Sequence, residues 1–462
     1  MKAELADFFR PSGTIGRGAY ALVGLAGFAI KHNLDRMAAL AFGRRWGLFN
    51  YWVPVRQVVR ITSLSRADAA FLATMVALSL PFIWIGIVLT MKRLRSAGLP
   101  AQLVVLFFAP FLNLLFFLLL CLVPERAASG PGSGARESSW LARVVPASAP
   151  GSAAVSLLLT VPLGFGMTIL GTHLMLNYGW GLFVALPFTV GFAAALIYGF
   201  RQPRTFWACV TVASLAVGFL GAALLAVALE GAICLMMAAP LALPLAAFGG
   251  ACGYLVQRRH WGQREAPAFL TALLVFVPGV QWMEHVAAPT PAVFAVHTSI
   301  DIQAPPEKVW KQVVAFSQIP PPREWIFRSG IAYPIRAEIE GTGAGAERHC
   351  VFSTGAFVEP IEVWDKPRRL KFSVTSNPPP LEEWSPYARI EPPHLHGFLR
   401  SEGGQFLLTS LPGGGTRLEG TTWYQHGLWP AGYWRLWSDA IIHRIHLRVL
   451  RHIRDEAERN SP

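Results

Sequence analysis

The sequence predicts a multi-span α-helical membrane bundle followed by a water-soluble α+β domain, which has an antiparallel sheet and a long C-terminal helix. Two observations support this prediction. Charged residues make up only 15% of the 462 residues, whereas an average soluble domain contains about 25%. The shortfall is confined to the first 285 or so residues, where charges form short islands between apolar runs. From Ala292 onward the polarity is that of a soluble protein.

The net charge of +13 is divided unevenly along the chain. Residues 1–289 hold 21 Lys and Arg against 9 Asp and Glu, and residues 290–462 hold 19 against 18. The basic excess therefore lies in the loops of the membrane part, where the positive-inside bias produces it. We expect the lipid bilayer as a partner and no nucleic acid.

Eight apolar segments are long enough to cross a membrane, which takes about 20 residues. They lie at approximately 18–42, 69–91, 101–123, 153–175, 179–200, 206–228, 231–256 and 266–284. A Gly-, Ser- and Pro-rich stretch lies between the third and the fourth of these segments and is typical of a flexible linker. The predicted domains are a front membrane module of about three spans (1–124), the linker (125–152), a rear module of about five spans (153–285) and the soluble domain (290–462).

Lys and Arg in the rear module predict the orientation. Two of its loops are basic, and the loops near residues 171–178 and at Glu230 carry no Lys or Arg. The basic loops are those of Arg201, Arg204, Arg258, Arg259 and Arg264. Their cytoplasmic placement puts the soluble domain on the outer, periplasmic side of a bacterial inner membrane. The basic loop at residues 92–95 then falls outside as well, unless the front module makes one crossing fewer or more.

The front module resembles a family of small bacterial inner-membrane proteins of unknown function. The resemblance covers about 110 residues and lies in a Gly-Arg-x-x-aromatic start and a basic loop after the second span. The matching residues are Gly16, Arg17, Tyr20, Arg93, Leu94, Arg95 and Gly98. The family's His-Asp pair is replaced by Arg95 and Ser96. The resemblance implies no chemistry.

The soluble domain opens with VFAVHTSIDIQ, whose alternating apolar residues predict a half-buried strand. A short amphipathic helix, APPEKVWKQVVAF, follows through Pro305 and Pro306. Next come strand-like runs bounded by Gly, Pro and Asp, namely PIRAEIEG, ERHCVFST, FVEPIEVWD, RLKFSVTS, HGFLRSEGGQFLLTSLP and TRLEGTTWYQHG. A long helix is predicted from Pro430 to about Arg459, because Trp434, Trp437, Ile441, Ile445, Val449 and Ile453 recur along one face.

This order of elements resembles the SRPBCC/START-like superfamily in its polyketide-cyclase/dehydrase-like branch. The resemblance covers about 165 residues and lies in SIDIQAPPEKVWKQVVAF, VEPIEVWDKPRRLKFSV, LLTSLPGGGTRLEGTTWY and the final helix. It implies a helix-grip fold with a deep cavity between a curved sheet and the long helix, in which an apolar ligand would be buried. The fold alone does not decide the function, because it hosts binding proteins, transporters and enzymes.

The residues expected to line this cavity come from the last strand and the long helix: Trp423, Tyr424, Trp434, Trp437 and Ile441. The alternative is that they only fill the core. Two proline-rich loops, PPPREWIF and PPPLEEWSPY, are expected at the cavity mouth, on the bilayer surface or as rigid surface loops. The mouth residues are predicted to be Arg323, Trp325, Trp384, His394 and His396.

No catalytic residue, metal or cofactor is predicted. Polar candidates for acid–base chemistry exist near the mouth, but no nucleophile–base pair is visible. They are Arg323, Glu324, Glu382, Glu383, His394 and Tyr424. The histidines His394, His396, His426, His443 and His446 have no spacing that forces them to converge on a metal. Cys121, Cys209, Cys234 and Cys252 lie in or beside apolar runs and are interpreted as small hydrophobic residues.

The leading hypothesis is a membrane-anchored protein that holds a hydrophobic small molecule or lipid in the helix-grip cavity. The first alternative is a cyclase, dehydrase or hydrolase in the same cavity, which requires at least two titratable side chains facing each other there. The second alternative is a transport or signalling bundle that the soluble domain regulates, which requires paired charges or a polar path within the spans.

Overall fold

The computed structural model describes residues 10–47, 51, 66–99, 101–108, 144–258, 266–287, 290–387 and 390–459, and single positions between 113 and 141. The N-terminal part of these residues is helical. Its helices are α1 (Arg17–Ala41), α2 (Arg66–Ala97), α3 (Ala149–Ile169), α4 (Leu186–Tyr198), α5 (Phe206–Ala226), α6 (Ala232–Arg258) and α7 (Ala266–Ala287). Short π-helical turns, Leu170–Leu174 and Gly181–Ala185, extend α3 and precede α4.

Five helical segments among the described residues are long and apolar enough to cross a membrane. They are Ala69–Ala97, Ala149–Leu174, Gly181–Tyr198, Phe206–Ala226 and Ala232–Arg258. Each corresponds to one of the eight segments predicted from the sequence, so the helical, apolar character of the N-terminal half is confirmed. The first and eighth predicted segments are also helices, α1 and α7, but neither is among these five.

The third predicted span does not run straight across the bundle. It begins as a 3₁₀ helix, Ala101–Phe108, and the Phe107 ring occupies the space where a Cβ on Gly86 would lie. Farther along, the carbonyl of Leu120 accepts a hydrogen bond of 2.9 Å from Nε of Arg93, near the C-terminal end of α2. The chain therefore returns to the end of α2 at which this segment started.

Helix α4 is the centre of the rear bundle, and nearly all of its side chains are buried. It packs against α6 through glycines that allow the two backbones to touch. A Cβ added to Gly191 would lie 2.3 Å from the carbonyl oxygen of Ala246, and one on Gly249 would lie 2.2 Å from that of Phe188. Small residues at such positions are typical of close helix pairs in membranes.

The C-terminal domain is an antiparallel seven-stranded sheet in the order β1-β7-β6-β5-β4-β3-β2. The strands are β1 (Val293–Ile302), β2 (Pro334–Glu340), β3 (Glu347–Phe352), β4 (Gly355–Asp365), β5 (Arg369–Ser373), β6 (Leu399–Ser410) and β7 (Thr416–His426). Helices α8 (Pro306–Val314) and α9 (Trp325–Arg328) lie between β1 and β2, and the long helix α10 (Ala431–Arg459) ends the domain. This is the predicted α+β architecture and resembles the helix-grip fold.

The helix α10 packs against the sheet through its apolar stripe. Val449, Leu450 and Ile453 are buried with Leu370 and Leu418 in the core of the domain. The N-terminal half of the same helix leaves this core, and its Ile441 joins a separate apolar cluster that includes residues of the helical bundle.

The soluble domain is docked on the end of the bundle where α5 ends and α6 begins. The backbone N–H of Ala232 donates to the carbonyl of Trp384 (2.9 Å), and the N–H of Trp429 donates to the carbonyl of Tyr178 (2.9 Å). The hydroxyl of Tyr433 donates to the carbonyl of Met237. The basic residues near 201–204 and at the end of α6 lie at the opposite end of these helices, away from the soluble domain.

Candidate functional site

The cavity inside the helix-grip domain is small. It lies between the sheet and α10 and has a volume of about 120 Å³, whereas small-molecule sites typically measure about 300–1,000 Å³. Aromatic side chains fill much of the space that a deep cavity would need, among them Phe316, Phe352, Phe357, Phe372 and Phe406. The deep pocket implied by the resemblance is therefore nearly closed, and it has no room for a lipid.

A buried ion pair occupies the wall of this small cavity. Arg348, whose side chain is 1% exposed, pairs with Glu359, and its guanidinium lies 5.5–5.6 Å from the ring centres of Phe316, Phe372 and Phe406. The two titratable groups that the enzyme hypothesis requires are thus present. They satisfy each other, so this arrangement is that of a structural pair and offers no free acid or base.

His446 is a titratable group that reaches the helix-grip cavity from α10. Its Nε2 lies 2.7 Å from Oγ1 of Thr422, and its Nδ1 lies 3.1 Å from Oγ1 of Thr298. Burial lowers the pKa of His446 to about 4. The imidazole is therefore neutral at physiological pH and is held by hydroxyl groups of β1 and β7.

The five residues expected to line one cavity are spread over the domain. Tyr424 is fully buried, and its hydroxyl donates to Asp439 (2.6 Å). Trp423 is half-buried and lies 6.0 Å from the ammonium of Lys371. Trp437 is half-buried on α10, and Ile441 packs against the bundle. Trp434 lies in the wall of a second, larger cavity.

That larger cavity lies between the bundle and the soluble domain, and we call it the interface chamber. Its volume is about 420 Å³. Helices α4, α5 and α6 and the end of α3 form its walls, and His394, Leu428 and Trp434 of the soluble domain form its roof. Its lining is almost entirely apolar, apart from a group of polar side chains beneath the roof.

The interface chamber is also open to one side. Gly218 of α5 and Met236 and Leu243 of α6 belong to its wall and are exposed, Met236 by 55% and Leu243 by 40%. The opening therefore lies between α5 and α6. In a membrane this opening would face the lipid chains.

The polar side chains at the roof, which we call the polar cluster, are Tyr178, Glu230, Cys234 and His394 of the chamber lining, together with the adjacent Glu383. The Sγ of Cys234 lies 2.9 Å from Nε2 of His394, and Nδ1 of the same ring lies 3.3 Å from Oε2 of Glu230. Oε1 of Glu383 lies 4.0 Å from the His394 Nε2. The hydroxyl of Tyr178 donates to Oε1 of Glu230 (3.1 Å).

Glu383 is held in place by the first turn of α6. Its carboxylate accepts hydrogen bonds from the backbone N–H groups of Ile233 (3.0 Å) and Cys234 (3.2 Å), which have no partner within the helix. The positive end of the helix dipole favours a carboxylate here. Gly231 makes the approach possible, because a Cβ at this position would lie 2.1 Å from Oε2 of Glu383.

Burial shifts the titration of the polar cluster. It raises the pKa of Glu230 to about 8 and also raises the pKa of Glu383, and it lowers the pKa of His394 to about 4. Within the part of the chain that the structure describes, no Lys or Arg forms an ion pair with either carboxylate. The cluster is thus rich in acceptor atoms and has no cation of its own.

Three of these residues could hold a metal ion. One ligand atom each from Cys234, Glu383 and His394 lies within 4.8 Å of the others. His394 was predicted at a cavity mouth, and the structure buries it at the chamber roof. The other predicted mouth residues are exposed, Trp325 by 71% and Trp384 by 52%, and so are Arg323 and His396.

Cys234 and Glu230 are the functional candidates that the sequence analysis missed. Cys234 was interpreted as a small hydrophobic residue because it stands in an apolar run. One signal was available for Glu230: it is the only acidic residue between positions 138 and 264. An isolated carboxylate in such a segment is costly unless it has a function.

No protein-family model matches the chain, and no curated protein matches it. The resemblance of the front module to an inner-membrane family therefore has no support from these comparisons. Among solved structures, the chain is similar to the ZhuI aromatase/cyclase from Streptomyces sp. R1128, with 16% identity over 36% of this chain and 95% of that one and a TM-score of 0.25. It is also similar to norcoclaurine synthase from Thalictrum flavum, with 10% identity over 37% and 99% and a TM-score of 0.25. At these scores the matches carry no functional argument, and the helix-grip resemblance rests on the order of the elements.

Proposed function

We propose that this protein is a membrane-anchored binding protein that holds a lipid-like amphipathic molecule in the interface chamber. The observation that supports the proposal is the apolar chamber of about 420 Å³ between the bundle and the soluble domain. The apolar chain of the ligand would lie among α4, α5 and α6, and its polar end would lie at the polar cluster. The proposed binding site is therefore at the domain interface and not in the helix-grip cavity that the sequence analysis suggested.

The composition of the interface chamber fits this role. A typical small-molecule site is mostly apolar and carries a few polar groups that fix the ligand's orientation. Here the apolar wall and the polar cluster lie at different places in one chamber, which suits a molecule with an apolar chain and a polar head. The opening between α5 and α6 would let such a molecule enter from the bilayer without crossing water.

The soluble domain would act as the roof of the site. Its Trp434 packs edge-on against Phe183 of the bundle with 4.7 Å between the ring centres, and Phe398 packs against Tyr178 at 5.0 Å. These contacts close the chamber on the side away from the bilayer centre. The exposed Trp325 begins α9, and the exposed Trp384 lies on a loop. Both segments contact the bundle, where an aromatic side chain would meet the lipid headgroups.

The first test is native mass spectrometry of the full chain, purified in a mild detergent, together with extraction of the lipids that copurify. The chamber is filled by the substitution Gly221→Phe, since Gly221 lines it and a Cβ there meets no atom within 4 Å. We expect about tenfold lower ligand affinity, which corresponds to about 1.4 kcal/mol.

The matched control is Gly166→Phe. Gly166 is an exposed glycine of α3 that also has free space around its Cβ, and it does not line the chamber. We expect this variant to retain the ligand. The proposal is wrong if the wild-type chain carries no apolar molecule and takes none up from a lipid panel, or if both variants bind as the wild type does.

A further inference from the structure

The polar cluster contains the ligand set of a transition-metal site. Cys234 offers a sulfur atom, His394 an imidazole nitrogen and Glu383 a carboxylate oxygen, all within 4.8 Å of one another. The three residues come from distant parts of the chain and are brought together where the soluble domain meets α6. Mixed sulfur, nitrogen and oxygen ligands of this kind suit Zn²⁺ better than Mg²⁺ or Ca²⁺.

The distances are close to those that a bound ion would require. With the usual zinc bond lengths, the ligand atoms of a tetrahedral site lie about 3.3–3.6 Å apart. The Cys234 Sγ to His394 Nε2 distance is 2.9 Å, and the Glu383 Oε1 to His394 Nε2 distance is 4.0 Å. One separation is shorter and the other is longer than the required value. Movements of these side-chain atoms by less than 1 Å would therefore accommodate the ion.

His394 has the surroundings of a metal-bound histidine. Its side chain is 9% exposed, and its Nδ1 has no hydrogen-bond partner although Oε2 of Glu230 lies only 3.3 Å away. Histidines that bind metal through one nitrogen usually donate the other N–H to a carboxylate, which orients the ring. With Nε2 on a metal, a small rotation of the ring would let Nδ1–H donate to Glu230. Glu230 would then be a positioning residue.

A metal explains this cluster better than a thiol–imidazole catalytic pair does. A nucleophilic thiolate needs positive charge nearby, and here the N–H groups at the start of α6 are already taken by the Glu383 carboxylate. A divalent cation would instead balance one thiolate and one carboxylate and leave the imidazole neutral. Buried charges of one sign are otherwise expensive.

We propose that Cys234, Glu383 and His394 bind a divalent zinc-class ion at the roof of the interface chamber. The fourth coordination position would face the chamber, because Cys234 and His394 both line it. Three protein ligands with one open position are the arrangement of catalytic zinc sites, whereas structural sites have four protein ligands. The metal site stands on these residues alone and does not depend on what the chamber holds.

The test uses the full chain in detergent, stripped with a chelator and titrated with Co²⁺. We expect one equivalent of Co²⁺ to bind and to produce the near-ultraviolet sulfur-to-cobalt absorption of a cysteine ligand. Cys234→Ser should abolish that absorption, and His394→Gln should weaken Co²⁺ binding. Glu230→Gln should retain the absorption with an affinity lower by about 10–100-fold, the usual effect of losing an orienting partner.

Matched controls lie close to both ligands. Cys252→Ser changes another cysteine of α6, and His396→Gln changes the exposed histidine two residues from His394. Both should bind Co²⁺ as the wild type does, and Zn²⁺ should raise the melting temperature of the wild type and the controls but not of Cys234→Ser. The proposal is overturned if the wild-type protein binds no Co²⁺, or if Cys234→Ser keeps the absorption. Since no lipid is added, neither result depends on the proposed lipid binding.

Discussion

Four of the described acidic residues are buried, and they differ in how their charge is compensated. Asp35 of α1 is paired with Lys31. Glu359 is paired with Arg348 inside the helix-grip domain, and its charge is compensated within the fold. Glu230 and Glu383 are buried at the domain interface, where His394 is their only partner in an ion pair among the described residues. The charge of Glu359 thus has an arginine beside it, whereas Glu230 and Glu383 have no Lys or Arg partner among the described residues.

The Arg348–Glu359 pair gives the first prediction at the residue scale. Arg348→Met leaves a buried carboxylate without its cation, so the free energy of unfolding should fall by about 3–5 kcal/mol. Chemical denaturation of the full chain in detergent, followed by tryptophan fluorescence, measures the loss. The double variant Arg348→Met/Glu359→Leu should recover most of it. As a control, Asp301→Asn breaks the exposed pair with Arg417 and should change the free energy of unfolding little. An equal loss in the control would contradict the prediction.

His446 gives a second prediction at the residue scale, for the pH dependence of stability. The pKa of His446 is lowered to about 4 in the folded protein. As the pH falls, this side chain is therefore protonated at a higher pH in the unfolded chain than in the folded protein. The contribution of His446 to the free energy of unfolding is complete above about pH 6.5 and is lost as the pH falls toward 4. Between pH 7 and pH 5 the wild type should lose about 2 kcal/mol through this group. In His446→Gln the difference in stability between these two pH values should shrink by that amount, and an unchanged difference would refute the assignment.

At the element scale, the close contact between α4 and α6 depends on glycine. Gly249 and Gly253 are four residues apart on α6 and face α4, where Cβ atoms would lie 2.2 Å from the carbonyl oxygen of Phe188 and 2.7 Å from the Cβ of Ala195. The sequence GGACG therefore fixes the distance between these helices. Because α6 also carries Cys234, the same packing sets the position of the polar cluster.

Gly249→Ala should separate α4 from α6 and lower the melting temperature of the full chain in detergent. The control is Gly218→Ala on α5, where a Cβ meets no atom within 4 Å. There alanine should be neutral or stabilising, because it favours a helix over glycine by about 0.5–1 kcal/mol. Opposite effects at the two glycines are the expected result of differential scanning fluorimetry. Equal effects would mean that the α4–α6 contact does not limit stability.

At the scale of the whole molecule, the docked domain and the basic residues of the rear bundle, Arg201, Arg204 and Arg258, lie at opposite ends of that bundle. Leu120 lies beside Arg93, at the end of α2 from which the third predicted span starts, so in a membrane this segment would not add a crossing. The basic end of α2 then lies on the same side as the start of α3, together with Arg201, whose Nε donates to the carbonyl of Val145 (3.0 Å). Arg44 after α1 instead lies over Phe71 near the start of α2, at the other end of that helix. The expected cytoplasmic placement therefore rests on the basic end of α2 and on the basic ends of the rear bundle.

We therefore expect the soluble domain outside the cytoplasm of a bacterial host. Alkaline phosphatase fused to the C-terminus should be active, and green fluorescent protein at the same position should be dark. Fusions of truncated chains after Gln202 should show the reverse behaviour. A fluorescent C-terminal fusion, together with an inactive phosphatase, would place the domain in the cytoplasm and invert the topology.

The sequence by itself determined the two-part architecture and most of the elements. Apolar runs of about 20 residues identify spans wherever a bilayer is the solvent, and alternation with a period of two identifies strands such as β1. Both signals are local in the sequence, so they can be recognised without knowledge of the fold. They did not show that the third apolar segment turns back, because the hydrophobicity of a segment does not reveal its path.

Only the tertiary structure decided where the site lies. Tyr178, Glu230, Cys234, Glu383 and His394 are separated by up to 216 positions along the chain, and no local pattern links them. The resemblance pointed to a cavity inside the helix-grip domain, but large side chains fill that space. The open volume lies between two domains, and its size is set by how they dock, which depends on contacts between residues that are distant in sequence.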